Sequence, residues 1–171
     1  MRTLLFVLAS LFTCEGAIAQ TRRVPRFEDF PVSRKFKGKP APVNLRSHPL
    51  ARKYRTMLRA SAKEGANFAG HYTVAHWGCG SNCWSIAIID ARNGNVYFPQ
   101  ELPSLGVGIV LKGDNDEEPL RFSLGSRLFI AEGFPFFSER ENLEGGRYYF
   151  KWENNRLRLV HKIRKDPMGV N

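Results

Sequence analysis

One short stretch of the chain gathers side chains able to do chemistry: His71, His76, Cys79 and Cys83. Imidazole and thiolate are zinc ligands, and a thiolate beside an imidazole is a nucleophile with its base. Asp90 adds a third possibility, a hydrolase in which His71 and Asp90 work with a neighbouring hydroxyl, Tyr72 or Thr73. Trp77 and Trp84 stand among these residues, so the stretch also offers aromatic faces to a sugar or protein partner.

Spacing discriminates among these options. If Gly80-Ser81-Asn82 forms a three-residue hairpin loop, Cys79 stands opposite Cys83 within bridging distance, and Asn82 takes the left-handed position that ends such loops. Side chains alternate along a strand, so His71 and His76, an odd number of positions apart, face opposite sides. His71, Thr73, Ala75 and Trp77 then share the cysteine face, and Tyr72, Val74 and His76 share the other with Ile86 and Ile88. A zinc site built from both histidines and both cysteines would need a bulge. A Cys-His pair fails because His76 is on the wrong face and His71 is too far along the strand. Tyr72 falls across from Asp90 with His71 on the opposite face, which strains the hydrolase grouping. The spacing calls for a Cys79–Cys83 disulfide and for no metal and no cofactor.

The stretch Gly70-His71-Tyr72-Thr73-Val74-Ala75-His76-Trp77-Gly78-Cys79-Gly80-Ser81-Asn82-Cys83 resembles an uncharacterised family of exported bacterial proteins that carry a similar G-H-Y-x-V-x-x-W-G-C-G-x-x-C pattern. The continuation to Pro99 and the later Tyr149-x-x-Trp152 pair are similar too, so the resemblance covers most of the chain. It implies export and no particular activity.

The elements that must position these residues are legible around them. From residue 67 onward, short β-rich runs alternate with turn residues, the signature of an antiparallel sheet. Strands are expected near 70–77, 84–90, 95–98, 108–111, 120–124, 127–132, 147–152 and 157–163. Asn93-Gly94 and Asn154-Asn155 suit tight turns, and Gly125-Ser126 suits a two-residue connection. No crossover helices intervene, which excludes a doubly wound sheet. One amphipathic helix is expected over 47–63, with Ser47 as N-cap, Pro49 in its first turn and Gly65 past its end. Leu50, Tyr54, Met57, Leu58 and Ala62 make its buried face. Arg52, Arg55, Arg59 and Lys63 form a second stripe, an anion-binding surface or a solvated face. The fold class expected is α+β, mainly antiparallel sheet with one N-terminal amphipathic helix.

Ahead of the helix, residues 20–46 carry Pro25, Pro31, Pro40 and Pro42 among basic residues and read as an extended arm that Phe27, Phe30 and Phe36 could anchor. Residues 1–19 have Arg2, an apolar run and the ending Ala17-Ile18-Ala19, the order of a cleavable signal peptide. The run is shorter than the roughly 20 residues a membrane span needs. Lipoprotein attachment at Cys14 is disfavoured because Leu11-Phe12-Thr13 lacks a small residue before the thiol. Export removes Cys14 and moves Cys79 and Cys83 into oxidising conditions, where they should pair. Residues 47–171 make a single domain, and the protein is expected in the periplasm or outside the cell after cleavage near Ala19.

The chain has 26 basic and 16 acidic residues, and cleavage would remove one of each, leaving +10. That favours an acidic protein or an anionic envelope polymer as partner. Nucleic acid is disfavoured by export and by the lack of any recognition motif. Asp114-Asn115-Asp116-Glu117-Glu118 reads as an acidic surface loop, since Pro119 stands where a calcium loop needs glycine. Phe134, Phe136 and Phe137 lie beside a charged loop and would mark an interface where exposed. Together these features point to an exported, non-catalytic binding protein, of inhibitor or immunity type in one version. Candidate contacts are His71, Tyr72, Trp77, Trp84, Arg52, Arg55, Arg59 and Lys63. The alternative is a small secreted hydrolase using His71 and Asp90, or a cysteine-based thiol enzyme.

Overall fold

The structure is a computed structural model, and it describes residues 23–107, 118–135 and 144–165. Among these, one α-helix, α1 (Arg55–Lys63), precedes eight strands: β1 (Tyr72–Gly80), β2 (Cys83–Asp90), β3 (Val96–Tyr97), β4 (Ser104–Gly106), β5 (Leu120–Phe122), β6 (Leu128–Pro135), β7 (Gly146–Glu153) and β8 (Arg156–Arg164). The sheet is antiparallel throughout, in the order β1-β2-β4-β6-β7-β8, with β3 paired to β2 and β5 to β6. The strand expected at 108–111 lies outside the described residues. The short strand β4 was not expected. It contributes one buried apolar residue, Leu105, after Pro103, too little alternation to register as a strand.

The sheet curls over its largest core. Tyr72 of β1 meets the Trp152 ring of β7 edge-on at 5.2 Å, and Val74, Ile86, Ile88, Phe129, Phe150 and Leu157 fill the space between. Tyr72 also donates its hydroxyl to Asn155 Oδ1 at 3.0 Å, tying β1 to the β7–β8 turn. That turn is tight because Asn154 and Asn155 both take positive φ, which asparagine tolerates.

On the reverse face of β1 and β2 the side chains are small. Ala75, Ala87 and Ile89 receive Ala51, Leu58 and Ala62, so α1 lies close against the sheet. The helix differs from the sequence expectation. Residues 49–51 form a 3-10 turn (Pro49–Ala51) capped by His48, whose ring accepts from Leu50 N–H, and the α-helix starts only at Arg55. Ser47 is not the cap; its hydroxyl donates to the Asn44 carbonyl and accepts from Val96 N–H, pinning the chain to β3. The offset breaks the helical period, so Ala51 is buried in place of Leu50, which is 40% exposed. Met57, one residue off the Leu58–Ala62 line, is 47% exposed.

Residues 23–46 run across the sheet, extended apart from one 3-10 turn, Phe27–Asp29. Phe27 and Phe30 cover Leu128, Ile130 and Tyr149 on the outer face of β6 and β7. The Ser126 hydroxyl donates to the Phe27 carbonyl at 2.7 Å and accepts from Leu128 N–H. Backbone bonds from Val32, Phe36, Ala41 and Asn44 N–H to Gly125, Gly70, Ala91 and Gly94 carbonyls hold the rest of the segment. No helix among the described residues is long and apolar enough to cross a membrane.

A candidate binding groove

Cys79 and Cys83 form the disulfide, with Cα atoms 5.2 Å apart. The hairpin around it is not the one the spacing predicted. Gly78 pairs with Trp84 and Gly80 with Cys83, so Cys79 sits in a β-bulge and Ser81-Asn82 make a two-residue turn, with Asn82 at φ 52°. A bulge on one strand lets two cysteines that are not cross-strand partners meet. Both thiols are consumed, so neither serves as a free nucleophile while the bridge is intact.

Upstream of the bulge the alternation runs as expected. Trp77 joins Ala75 on the helix side, and His76 lies on the opposite side, stacked on Trp84 at 4.8 Å between ring centres. The two tryptophans therefore do not share a platform. Trp84 leans on the large core beside Leu105, and Trp77 faces α1.

Trp77 is the centre of an open aromatic groove. Its ring lies 4.8 Å from Tyr54, at the start of α1, and 6.4 Å from Phe98, just past β3; His48 lies 4.6 Å from Phe98. The ammonium of Lys53 stands 5.2 Å above the Tyr54 ring, within cation–π range. Tyr54, Trp77 and Ser85 line both halves of the groove. One half, about 360 Å³, is continued by Lys53, Met57, Gly78 and Cys79. The other, about 280 Å³, is continued by His48, Leu50, Phe98, Gln100 and Pro103. The disulfide thus forms an end wall, and the two exposed aliphatic residues of the helical segment, Leu50 and Met57, sit at the mouths. Arg52, Arg55, Arg59 and Lys63 are all exposed, and no carboxylate among the described residues pairs with any of them. Phe98 and His48 were not singled out from sequence, and Leu50 was expected on the buried face of the helix. Four separate segments bring His48, Tyr54, Trp77 and Phe98 together, and the aromatic face read at Trp77 was the sequence signal for such a surface.

His71 and Asp90 are closer than the alternation predicted. His71 Nε2 lies 3.8 Å from Asp90 Oδ2, and its ring packs 4.1 Å from Tyr72. The correction has a backbone cause: β1 begins at Tyr72, and Ala69 and Gly70 both take positive φ, so His71 belongs to a bend and not to the ladder. The hydroxyls do not join the pair. Tyr72 is bound to Asn155, and Thr73 donates to the Gly65 carbonyl at 2.7 Å. Asp90 is itself engaged by Arg92 through its backbone N–H, Nε and Nη2, and by Asn93 Nδ2. Burial acts to raise the Asp90 pKa, but the Arg92 hydrogen bonds and charge outweigh it and hold the carboxyl below its usual range. Burial pushes the His71 pKa down, the charge of Arg92 adds to this, and Asp90 only partly opposes it. The balance favours the neutral imidazole, and its buried Nε2 has no hydrogen-bond partner among the described residues. None of the described grooves is lined by His71.

Among the described residues no group of three or more His, Cys, Asp or Glu side chains is placed to hold a metal ion. The acidic run 114–118, apart from Glu118, and Phe136 and Phe137 lie outside the described residues; Phe134 is buried. No protein-family model, no curated protein and no solved structure matches this chain.

Proposed function

We propose that this is an exported, non-catalytic binding protein of the bacterial envelope, and that its partner is another protein with an acidic rim around an apolar projection. The observation that carries the reading is the groove around Trp77. It combines Trp, Tyr, Met and Leu at the surface with Arg52 and Arg55 next in sequence to its Lys53 and Tyr54, neither paired with a carboxylate among the described residues, the composition of a protein-recognition hot spot. Walls that are mostly apolar and aromatic, with Lys53 as their single lysine or arginine, favour a protein over a purely anionic polymer, which would need several cations lining the cleft. The basic excess of the chain assists encounter. Residues 1–19 supply the export signal, and the disulfide is compatible with an oxidising compartment.

A photo-cross-linking side chain placed at Met57 in cells making the full chain tests this. A discrete envelope-protein adduct that disappears with Trp77→Ala is the expected result. Equal labelling from a probe at Arg156, on the far edge strand, or adducts insensitive to Trp77→Ala, would overturn it. N-terminal sequencing of the envelope fraction should begin near Gln20.

A further inference from the structure

A second groove lies on the other flank of α1, between the helix and the proline-rich segment. Its walls are Pro40, Pro42 and Val43 on one side and Arg59, Ala62 and Lys63 on the other, with Lys39 at one end; its volume is about 440 Å³, within the size range of small-ligand sites. Two features set its chemistry. Pro40 and Pro42 have no N–H to offer the groove, and the Ala41 N–H is spent on the Ala91 carbonyl at 2.8 Å. That bond and the one from Asn44 N–H to the Gly94 carbonyl also fix the wall in place. The floor, made by Pro40, Pro42, Val43 and Ala62, is largely apolar.

The charge on the groove is all of one sign. Arg59 and Lys63 are four residues apart and rise on one ridge of the helix, facing Lys39 across the opening. No acid lines the groove, and no carboxylate among the described residues pairs with these three cations. The helix dipole accounts for Lys63 in the last turn, but not for Arg59 or Lys39. A small inorganic anion would leave the proline wall facing water, and a neutral chain would leave three cations without a counter-charge. We propose that this groove binds an amphiphilic anion, a single apolar chain with an anionic head, the chain lying on Pro40, Pro42, Val43 and Ala62 and the head held by Arg59, Lys63 and Lys39.

The test uses the full chain and decyl phosphate below its micelle concentration, followed by calorimetry. Saturable binding of one ligand per chain is expected, with inorganic phosphate and decanol each weaker by about tenfold or more. Arg59→Gln with Lys63→Gln should weaken decyl phosphate by about tenfold again and flatten its salt dependence, with an unchanged melting temperature. Trp77→Ala should leave it unaffected, which separates this site from the aromatic groove. Equal affinity in the Arg59/Lys63 variant would overturn the proposal. So would binding to anionic vesicles without binding to the monomer, since that would indicate a membrane surface.

Discussion

Replacing both bridge cysteines, Cys79→Ser with Cys83→Ser, should lower stability by an amount that the ring size sets. The partners are four positions apart, and loop-closure entropy for so short a ring is about 2 kcal/mol. Little packing is lost alongside it. Cys79 is exposed, the flanking Gly78 and Gly80 have open space around them, and neither cysteine belongs to any of the three apolar clusters. For a domain of this size each kcal/mol moves the melting temperature by roughly 2–4 °C, so a fall of about 4–8 °C is expected, with the unfolding transition still cooperative. Thermal unfolding by far-ultraviolet circular dichroism of the oxidised protein and the double variant measures it directly. A fall beyond roughly 15 °C, or loss of a single transition, would mean that the bridge clamps the whole sheet and that the local account is wrong. No change at all would mean that the unfolded hairpin is already closed without it. Because Cys79 lines the groove, partner cross-linking from Met57 should weaken in the same variant even where stability barely moves.

Two further outcomes follow from the backbone and from His71. Gly94 has φ +76°, and a Cβ there would collide with the Pro42 carbonyl oxygen; Gly94→Ala should cost about 2 kcal/mol or more and loosen residues 40–44, read by hydrogen exchange at Ala41 and Asn44. Gly94→Asn, which tolerates the dihedral but not the collision, should be nearly as costly, and a fully stable Asn variant would show that only the dihedral matters. The pKa of His71 is lowered in the folded state, so the unfolded chain binds more protons below its ordinary value of 6.5, and stability should fall as pH drops from there toward the folded pKa. Denaturant titrations of wild type and His71→Asn should differ in slope in that window and run parallel below it. A slope that persists in the variant would place the titrating group elsewhere.

Much of the sheet was legible because its signals are local. The Asn154-Asn155 turn, the pairing of Tyr72 with Asp90 and the inward alternation of Val74, Ile86 and Ile88 each follow from residues near one another in sequence. What sequence could not supply were departures from periodicity. A bulge at Cys79 shortens the loop by one residue while leaving the same two cysteines bonded, so spacing alone fits both geometries. The bend at Ala69-Gly70 takes His71 off the ladder, and strict alternation then assigns it the wrong neighbour. The 3-10 turn at Pro49–Ala51 shifts the helical phase and turns Leu50 outward. The groove itself combines His48, Tyr54, Trp77 and Phe98 from four segments, and that convergence is a tertiary fact.

The alanine layer beneath α1 has a bearing on how this surface can diversify. Along β1 consecutive residues belong to different environments: Val74 to the large core, Ala75 and Trp77 to the helix side. Substitutions at Tyr54, Met57, Trp77 or Phe98 alter what the groove presents without changing the volume that Phe129, Phe150 and Trp152 enclose on the other face. Sites so separated contribute to stability nearly additively. The groove face and the large core can therefore be altered independently, provided the alanines stay small enough for the helix to keep its seat.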